Sequence, residues 1–338
     1  MHQRRAGSTL IRFLHLVQRG VIYTTILIWM EVGMTWGPAP DLPEFIAKQF
    51  SFSRRAWTFE EGPQSGATIS LVDDGNRVGM PLIFIHGNPT WSFLWRKVIE
   101  GVDHGKFRCI APDLLGLGCS SKKLGVSEHS LQVHIDALVT LIEAMELPEF
   151  ILVGQDWGGP CVTGVGARLG ERVKGVVLAN TSVLVPKRPH GTAFHRFSRI
   201  PGLSDFVFRG LGLPQRLMGM VQGERNSIRG EVSKAYVWPL RGIGVSAAPL
   251  ALARMVPDSM DHPSIPHLEA GQKWLRNFKG PMALVWGSRD PILGRALPKH
   301  REAFPDAFVI ETEAGHFLQE EVPEELVRAI EWVWERIG

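Results

Sequence analysis

The stretch Phe150-Ile151-Leu152-Val153-Gly154-Gln155-Asp156-Trp157-Gly158-Gly159-Pro160 leaves few backbones open. Four consecutive apolar residues suit a strand buried on both faces. The glycines then bracket Asp156 and Trp157, and an apolar helix-compatible segment follows. Small residues on either side of a central side chain permit a sharp turn from strand to helix, which pushes that side chain out above the sheet. Serine is the familiar occupant of that tip, but here it is Asp156. A carboxylate is already ionised near neutral pH and needs no base before it attacks, yet the ester it forms must be hydrolysed by something else. A base and a residue to orient it are therefore required elsewhere in the chain.

With 338 residues, 44% of them apolar, the chain can bury a large core and carry an insert. Cys109, Cys119 and Cys161 are an odd number set in apolar or turn segments, which argues against a disulfide framework and for a reducing, cytoplasmic setting. The formal charge is only +3, but Thr181 to Arg254 holds eleven Lys and Arg against three Asp and Glu. Those arginines lie among prolines and glycines with no aromatic interleaving, so a solvated basic face is expected and no nucleic-acid partner.

Residues 1–44 form an N-terminal extension, with Arg4, Arg5, Arg12 and Arg19 around an uncharged run from Gly20 to Met30. That run is too short for a span, which needs about 20 apolar residues. It suits membrane-surface contact through residues 10–36, homo-oligomerisation or extra core packing. A secretory signal is the rival reading, but no A-x-A-like site follows, and Pro38 and Pro40 crowd the place for one.

The remainder alternates. Ala56–Glu60 and Ala67–Val72 predict an antiparallel pair, and Pro81–Ile85 a buried strand emptying into His86-Gly87-Asn88-Pro89. A strand over Phe107–Ala111 is followed by a helix over Glu128–Glu146, on which Leu131, Ile135, Leu138, Ile142 and Met145 make one stripe. After the central turn come a helix to Val173 and a strand over Gly175–Ala179. Strands return at Pro281–Gly287 and Ala307–Glu311, and Glu324–Ile337 closes the chain as a helix. This predicts an α/β protein whose mostly parallel central sheet is covered by helices on both faces, built from 45–181 and 257–338. Between 182 and 256 the alternation stops, and short helical patches at Arg216–Val221 and Gly230–Val237 predict an inserted helical cap.

In open α/β sheets the ligand crevice lies beyond the carboxyl ends of the strands, where Asn88, Asp156, Asp290 and His316 all fall. Nucleophile, acid and histidine occur in the chain order of an α/β-hydrolase triad. His316 would activate water against the ester while Asp290 holds its other nitrogen.

The runs His86-Gly87-Asn88-Pro89-Thr90-Trp91, Gly154-Gln155-Asp156-Trp157-Gly158-Gly159 and Ala314-Gly315-His316 resemble the haloalkane dehalogenases over residues 45 to 338. The resemblance implies displacement of halide from a saturated carbon by Asp156, giving an alkyl ester and then a primary alcohol. It implies Trp157 and Asn88 as the two N–H donors to the leaving halide, and their backbone N–H groups as the oxyanion hole. One group of this family carries its acid after the strand preceding the cap. Here that strand ends Ala179-Asn180-Thr181 without a carboxylate, so the late Asp290, combined with Asn88, resembles the third subfamily. Cys119 departs from the polar or charged residue usual at its loop position. Partners implied are a small apolar halogenated substrate, water and halide, with no cofactor and no metal.

Epoxide hydrolases also use an aspartate at such a turn but need cap tyrosines to protonate the epoxide oxygen, and this chain has only Tyr23 and Tyr236. A cofactor-independent oxygenase or a ligand receptor on the same fold is a further alternative. Gly242–Ala247 matches a relaxed dinucleotide fingerprint, but no strand precedes it, and the pairs His190/His195 and His262/His267 lack metal-site spacing. Trp238 and Phe197 could line the substrate cavity or fill the core.

Overall fold

The computed structural model describes residues 36–122, 125–187, 189, 192–242 and 247–337. The apolar run at 20–30, Tyr23, His190 and residues 243–246 of the glycine-rich run lie outside the described residues. The account that follows concerns the compact unit Pro38–Gly338.

Eight strands of this unit form one sheet: β1 Arg54–Thr58, β2 Thr68–Gly75, β3 Met80–Ile85, β4 Phe107–Pro112, β5 Phe150–Asp156, β6 Val173–Thr181, β7 Met282–Gly287 and β8 Phe308–Thr312. Their order across the sheet is β1-β2-β4-β3-β5-β6-β7-β8. The first two pairings, β1 with β2 and β2 with β4, are antiparallel; the rest are parallel. The expected α/β architecture is therefore the observed one. The parallel strands are apolar on both faces, with Leu82, Phe84, Ile151, Val153, Val177 and Val285 buried on one and Ile83, Ile85, Leu152, Leu178 and Leu284 buried on the other, because helices cover both sides.

Helix α1 (Leu131–Ala144) begins at the first residue of the stripe, three residues after the expected start at Glu128, since the Ser130 hydroxyl accepts the Val133 N–H at 3.2 Å and caps it. Helix α2 (Gly158–Leu169) follows the central turn, and Gly164 and Gly166 let Ile135 and Trp274 come within reach of its backbone. Trp274 belongs to α3 (Ile265–Asn277), a helix not foreseen from the sequence, although Ile265, Leu268 and Leu275 make a buried stripe. The closing helix α4 spans Pro323–Trp334 and buries Leu326, Ile330 and Val333 against the sheet.

The inserted segment has two structural parts. Residues 192–216 and the helix Ala247–Arg254 meet around Phe208, Leu250 and Ala253, with Phe197 packed against them. By contrast Met218, Ile228, Ala235 and Tyr236 belong to the main core beside Trp91 and Phe93. Tyr236 is tied there: its hydroxyl donates to Glu320 Oε1 at 2.6 Å, and Arg96 grips the same carboxylate at 2.5 and 2.8 Å. Trp238 packs with that core, its ring 6.5 Å from Trp91, so neither Trp238 nor Phe197 faces the cavity described below.

Candidate active site

At the end of β5 the chain enters a left-handed conformation, with Asp156 at φ 52°. Such a backbone is costly for a residue with a β-carbon, by roughly 1 kcal/mol or more, and the surroundings enforce it. A β-carbon on Gly158 would fall 1.9 Å from the Ile85 carbonyl oxygen, and one on Gly159 would fall 2.0 Å from the Thr181 hydroxyl. That hydroxyl in turn donates to the Asp156 carbonyl at 2.6 Å. The Asp156 side chain is not the cap of α2; the N-cap is Trp157, with no side-chain bond.

The carboxylate is held from two directions. Asn88 N–H donates to Asp156 Oδ1 at 2.8 Å, and the Trp157 N–H bonds the same group. Asn88 is presented by the loop after β3. There His86, fully buried, accepts the Leu114 N–H at Nε2 (2.9 Å) and therefore donates from Nδ1 to the Gly87 carbonyl (2.9 Å), a neutral tautomer that burial favours. The Asn88–Pro89 peptide is cis.

His316 stands on the far side. Its Nδ1 donates to Asp290 Oδ2 at 2.9 Å, and its Nε2 lies 3.6 Å from Asp156 Oδ2. Asp290 also accepts the Ile292 N–H at Oδ1 (2.7 Å), so it is at once a turn residue and the imidazole's partner. With Nδ1 protonated, Nε2 carries the lone pair, with Gln155 Nε2 3.4 Å from it. The His316 backbone is fully engaged: its N–H donates to the Val221 carbonyl (2.9 Å), and its carbonyl accepts from Asn180 Nδ2 (3.1 Å) and Gln155 Nε2 (3.2 Å). Asn180 links the strand ends, also donating to the Gly315 carbonyl (2.7 Å) and accepting the Gly287 N–H (2.8 Å).

Burial raises the Asp156 pKa, opposed by the His316 charge and the two N–H donors, which leaves a carboxylate more basic than one in water. For His316, burial acts downward but the charge and hydrogen bond of Asp290, with the charge of Asp156, outweigh it, so the imidazole titrates above its usual range.

Asp156 and Trp157 line a cavity of about 320 Å³, walled by Pro160, Leu184, Leu268 and Leu293 and bordered by Ser182, Thr192 and His195. Asn88 and His316 are not among its lining residues. The Asn88 side chain donates one N–H to the Pro249 carbonyl at 3.0 Å, which fixes the orientation of its amide and leaves its second N–H. Two further clefts, of about 420 Å³ beside Arg209–Gly242 and about 680 Å³ beside Trp274, contain none of the five candidate residues.

The structure thus brings Asn88, Trp157 and His316 to the Asp156 carboxylate, with Asp290 behind His316. Sequence reasoning missed the bonding roles of Gln155 and Asn180; Gln155 could have been found beside Asp156 in the central run, whereas Asn180, distant in sequence from the His316 loop it bonds, carried no such signal. Cys119, the departure noted above, donates its backbone N–H to Asp113 at 2.7 Å, and burial pushes its thiol up to about 12. The three cysteines are free thiols. Among the described residues no group of three or more His, Cys, Asp or Glu could hold a metal ion, and no helix is long and apolar enough to cross a membrane. His262 is used in a turn, accepting the Ser264 N–H at 3.1 Å.

Comparison with known proteins agrees with this geometry. A family model for the α/β hydrolase fold matches residues 80–224. A haloalkane dehalogenase of Mycobacterium marinum is 31% identical over 268 residues, covering 78% of this chain and 88% of that protein. Haloalkane dehalogenase 2 of Mycobacterium tuberculosis is 30% identical over 308 residues, covering 87% and 96%. Among solved structures, a haloalkane dehalogenase mutant from Agrobacterium tumefaciens C58 superposes with a TM-score of 0.72 at 26% identity, covering 87% of this chain and 100% of the other. The tetrameric haloalkane dehalogenase of Paraglaciecola agarilytica NO2 shares the fold with a TM-score of 0.74 at 23% identity, covering 88% and 98%. The chain belongs to the haloalkane dehalogenase family.

Proposed function

We propose that the protein hydrolyses small haloalkanes to the alcohol and halide through a covalent ester on Asp156. The observation that carries this reading is the division of labour on one carboxylate. Oδ1 is held by the Asn88 N–H at 2.8 Å, while Oδ2 points into reach of His316 Nε2 at 3.6 Å. Oδ2 attacks the carbon bearing the halogen, the carbon–halogen bond breaks, and the halide leaves with the electron pair. The indole N–H of Trp157 and the remaining amide N–H of Asn88 receive it as neutral donors, which stabilise the ion without trapping it.

Water then adds to the Asp156 Cγ while His316 Nε2 takes its proton. The oxyanion forms on Oδ1, facing the Asn88 and Trp157 N–H groups. The bond from Cγ to the alkyl oxygen breaks, the imidazolium gives its proton to the alkoxide, and the carboxylic acid left on Asp156, one of its oxygens from water, releases its proton to solvent to restore the carboxylate.

The test incubates the full chain with bromo- and iodoalkanes and with styrene oxide, measuring halide and diol separately. Halide release without diol is expected; diol from the epoxide without halide would establish epoxide hydrolysis instead. Tyr236 favours the first outcome, since it is buried against Glu320 and away from the cavity. His316→Phe is expected to trap the ester as added mass on Asp156, and an unmodified protein after long exposure would overturn the two-step route.

For the N-terminal extension, the arginines set around an uncharged apolar run support a role in self-association. Removal of residues 1–40 should lower the assembly size by light scattering; an unchanged size would rule that role out.

A further inference from the structure

We infer that Gln222 is a positioning residue for His316, needed for hydrolysis of the ester and not for its formation; this rests on the two-step reaction proposed above. Gln222 is buried where the inserted segment returns to the core. Its Oε1 accepts the Phe317 N–H at 2.9 Å and its Nε2 donates to the Phe317 carbonyl at 3.1 Å, so one amide closes on both backbone groups of the residue after His316. Its Nε2 is anchored in turn to the Ser227 hydroxyl at 3.0 Å.

The neighbours make the same contact continuous. Val221 accepts the His316 N–H, and Glu321 accepts the Gly223, Glu224 and Gly315 N–H groups at 2.8 to 3.1 Å. The fit leaves no slack, because a β-carbon on Gly315 would sit 2.3 Å from the Gly223 nitrogen and 2.4 Å from the Gln222 Cα.

Asp156 is held independently of this contact. Asn88, Trp157 and Thr181 fix its carboxylate and backbone, and none of them bonds Gln222. A change at 222 therefore loosens the Phe317 side of the His316 loop, while Val221, Asn180, Gln155 and Asp290 still hold His316 itself and the nucleophile and its halide donors stay in place. In the ester-forming step the imidazole transfers no proton, whereas in hydrolysis its Nε2 must meet a water placed against Cγ. Displacement of about 1 Å is enough to slow such a step by roughly 100-fold.

The experiment is rapid-quench turnover of a bromoalkane by the full chain, comparing wild type with Gln222→Met, which keeps the side-chain length without the amide. Halide burst and alkyl ester on Asp156 are measured together. The expected result is a burst rate within about threefold of wild type, with ester hydrolysis slowed about tenfold or more and the ester accumulating. Gln222→Glu, which retains an acceptor for the Phe317 N–H, is expected to restore part of the hydrolysis rate. Equal slowing of both steps, or no change in either, overturns the inference. Ser227→Ala removes only the anchor and is expected to slow hydrolysis alone, more mildly. Should Gln222→Met fail to fold by circular dichroism, Ser227→Ala decides, and an unaltered or evenly slowed reaction in it overturns the role. A wild-type chain that releases no halide removes the underlying reaction as well, which separates the two failures.

Discussion

Gly87 and Asp156 are packed so closely that a β-carbon at position 87 would lie 2.4 Å from both the Cβ and Oδ1 of the aspartate. No side chain other than hydrogen fits beside the carboxylate without moving it. Gly87→Ala should therefore lower halide release by on the order of 100-fold while the fold persists, as judged by halide assay alongside circular dichroism. Wild-type rates in a folded variant would mean that the carboxylate has more latitude than its packing allows.

Asp290 sets the pH at which His316 can act. The imidazole is raised above its ordinary pKa of about 6.5, and only its neutral form can accept a proton from water. Hydrolysis of the ester should accordingly climb as pH rises through that raised pKa and level off above it. In Asp290→Asn the negative charge is gone, so the climb should move to lower pH while the plateau falls by on the order of 1,000-fold. Single-turnover decay of the ester between pH 5 and 9 reads both effects, and an unmoved limb would assign the titration to another group.

Trp157→Phe keeps the ring but removes the indole N–H from the wall of the cavity. Loss of one donor aimed at developing charge should cost on the order of 100-fold in the halide burst. Hydrolysis of ester already formed should change little, since the Trp157 backbone N–H remains. A variant slowed in hydrolysis and not in the burst would assign this side chain a different task.

His134 bears on stability. It is buried, neither ring nitrogen has a hydrogen-bond partner among the described residues, and its pKa is lowered to about 3 by burial, with the nearby His129 and His86 adding to this. The unfolded chain, with an imidazole near 6.5, takes up the proton that the native state refuses. Native stability is then fully present above about pH 6.5 and is lost as pH falls toward 3, by up to about 1.4 kcal/mol per unit. His134→Leu should flatten this decline, visible as a smaller gap between melting temperatures at pH 7.5 and 5.5. An equal gap in wild type and variant would place the acid sensitivity elsewhere.

The candidate site residues were legible because each sits where a strand pattern stops. Apolar runs ending in Asn88, Asp156, Asp290 and His316 locate the four without coordinates, and the glycines beside Asp156 announce the strained turn. Support was harder to read. Gln222 and Asn180 act through backbone groups distant in sequence, and nothing in their own neighbourhoods marks them. The same holds for Tyr236, which looked like part of a cap but is bonded to Glu320, because burial of an aromatic side chain depends on what packs against it and not on its local pattern. Helix α3 had a stripe in Ile265, Leu268 and Leu275, but it follows the irregular insert with no strand before it, so the strand–helix alternation does not mark it.

The amide of Asn180 accepts from Gly287 and donates to Gly315 and His316, two functions that a carboxylate, having no proton to give, could not combine. An aspartate introduced at 180 would bring its charge to the strand end yet leave the Gly315 carbonyl without a donor and the His316 carbonyl with Gln155 alone. Transfer of the acid from Asp290 to this strand end is thus closed to any single substitution. A carboxylate could serve His316 from that end only in a chain whose His316 loop is held by some other donor.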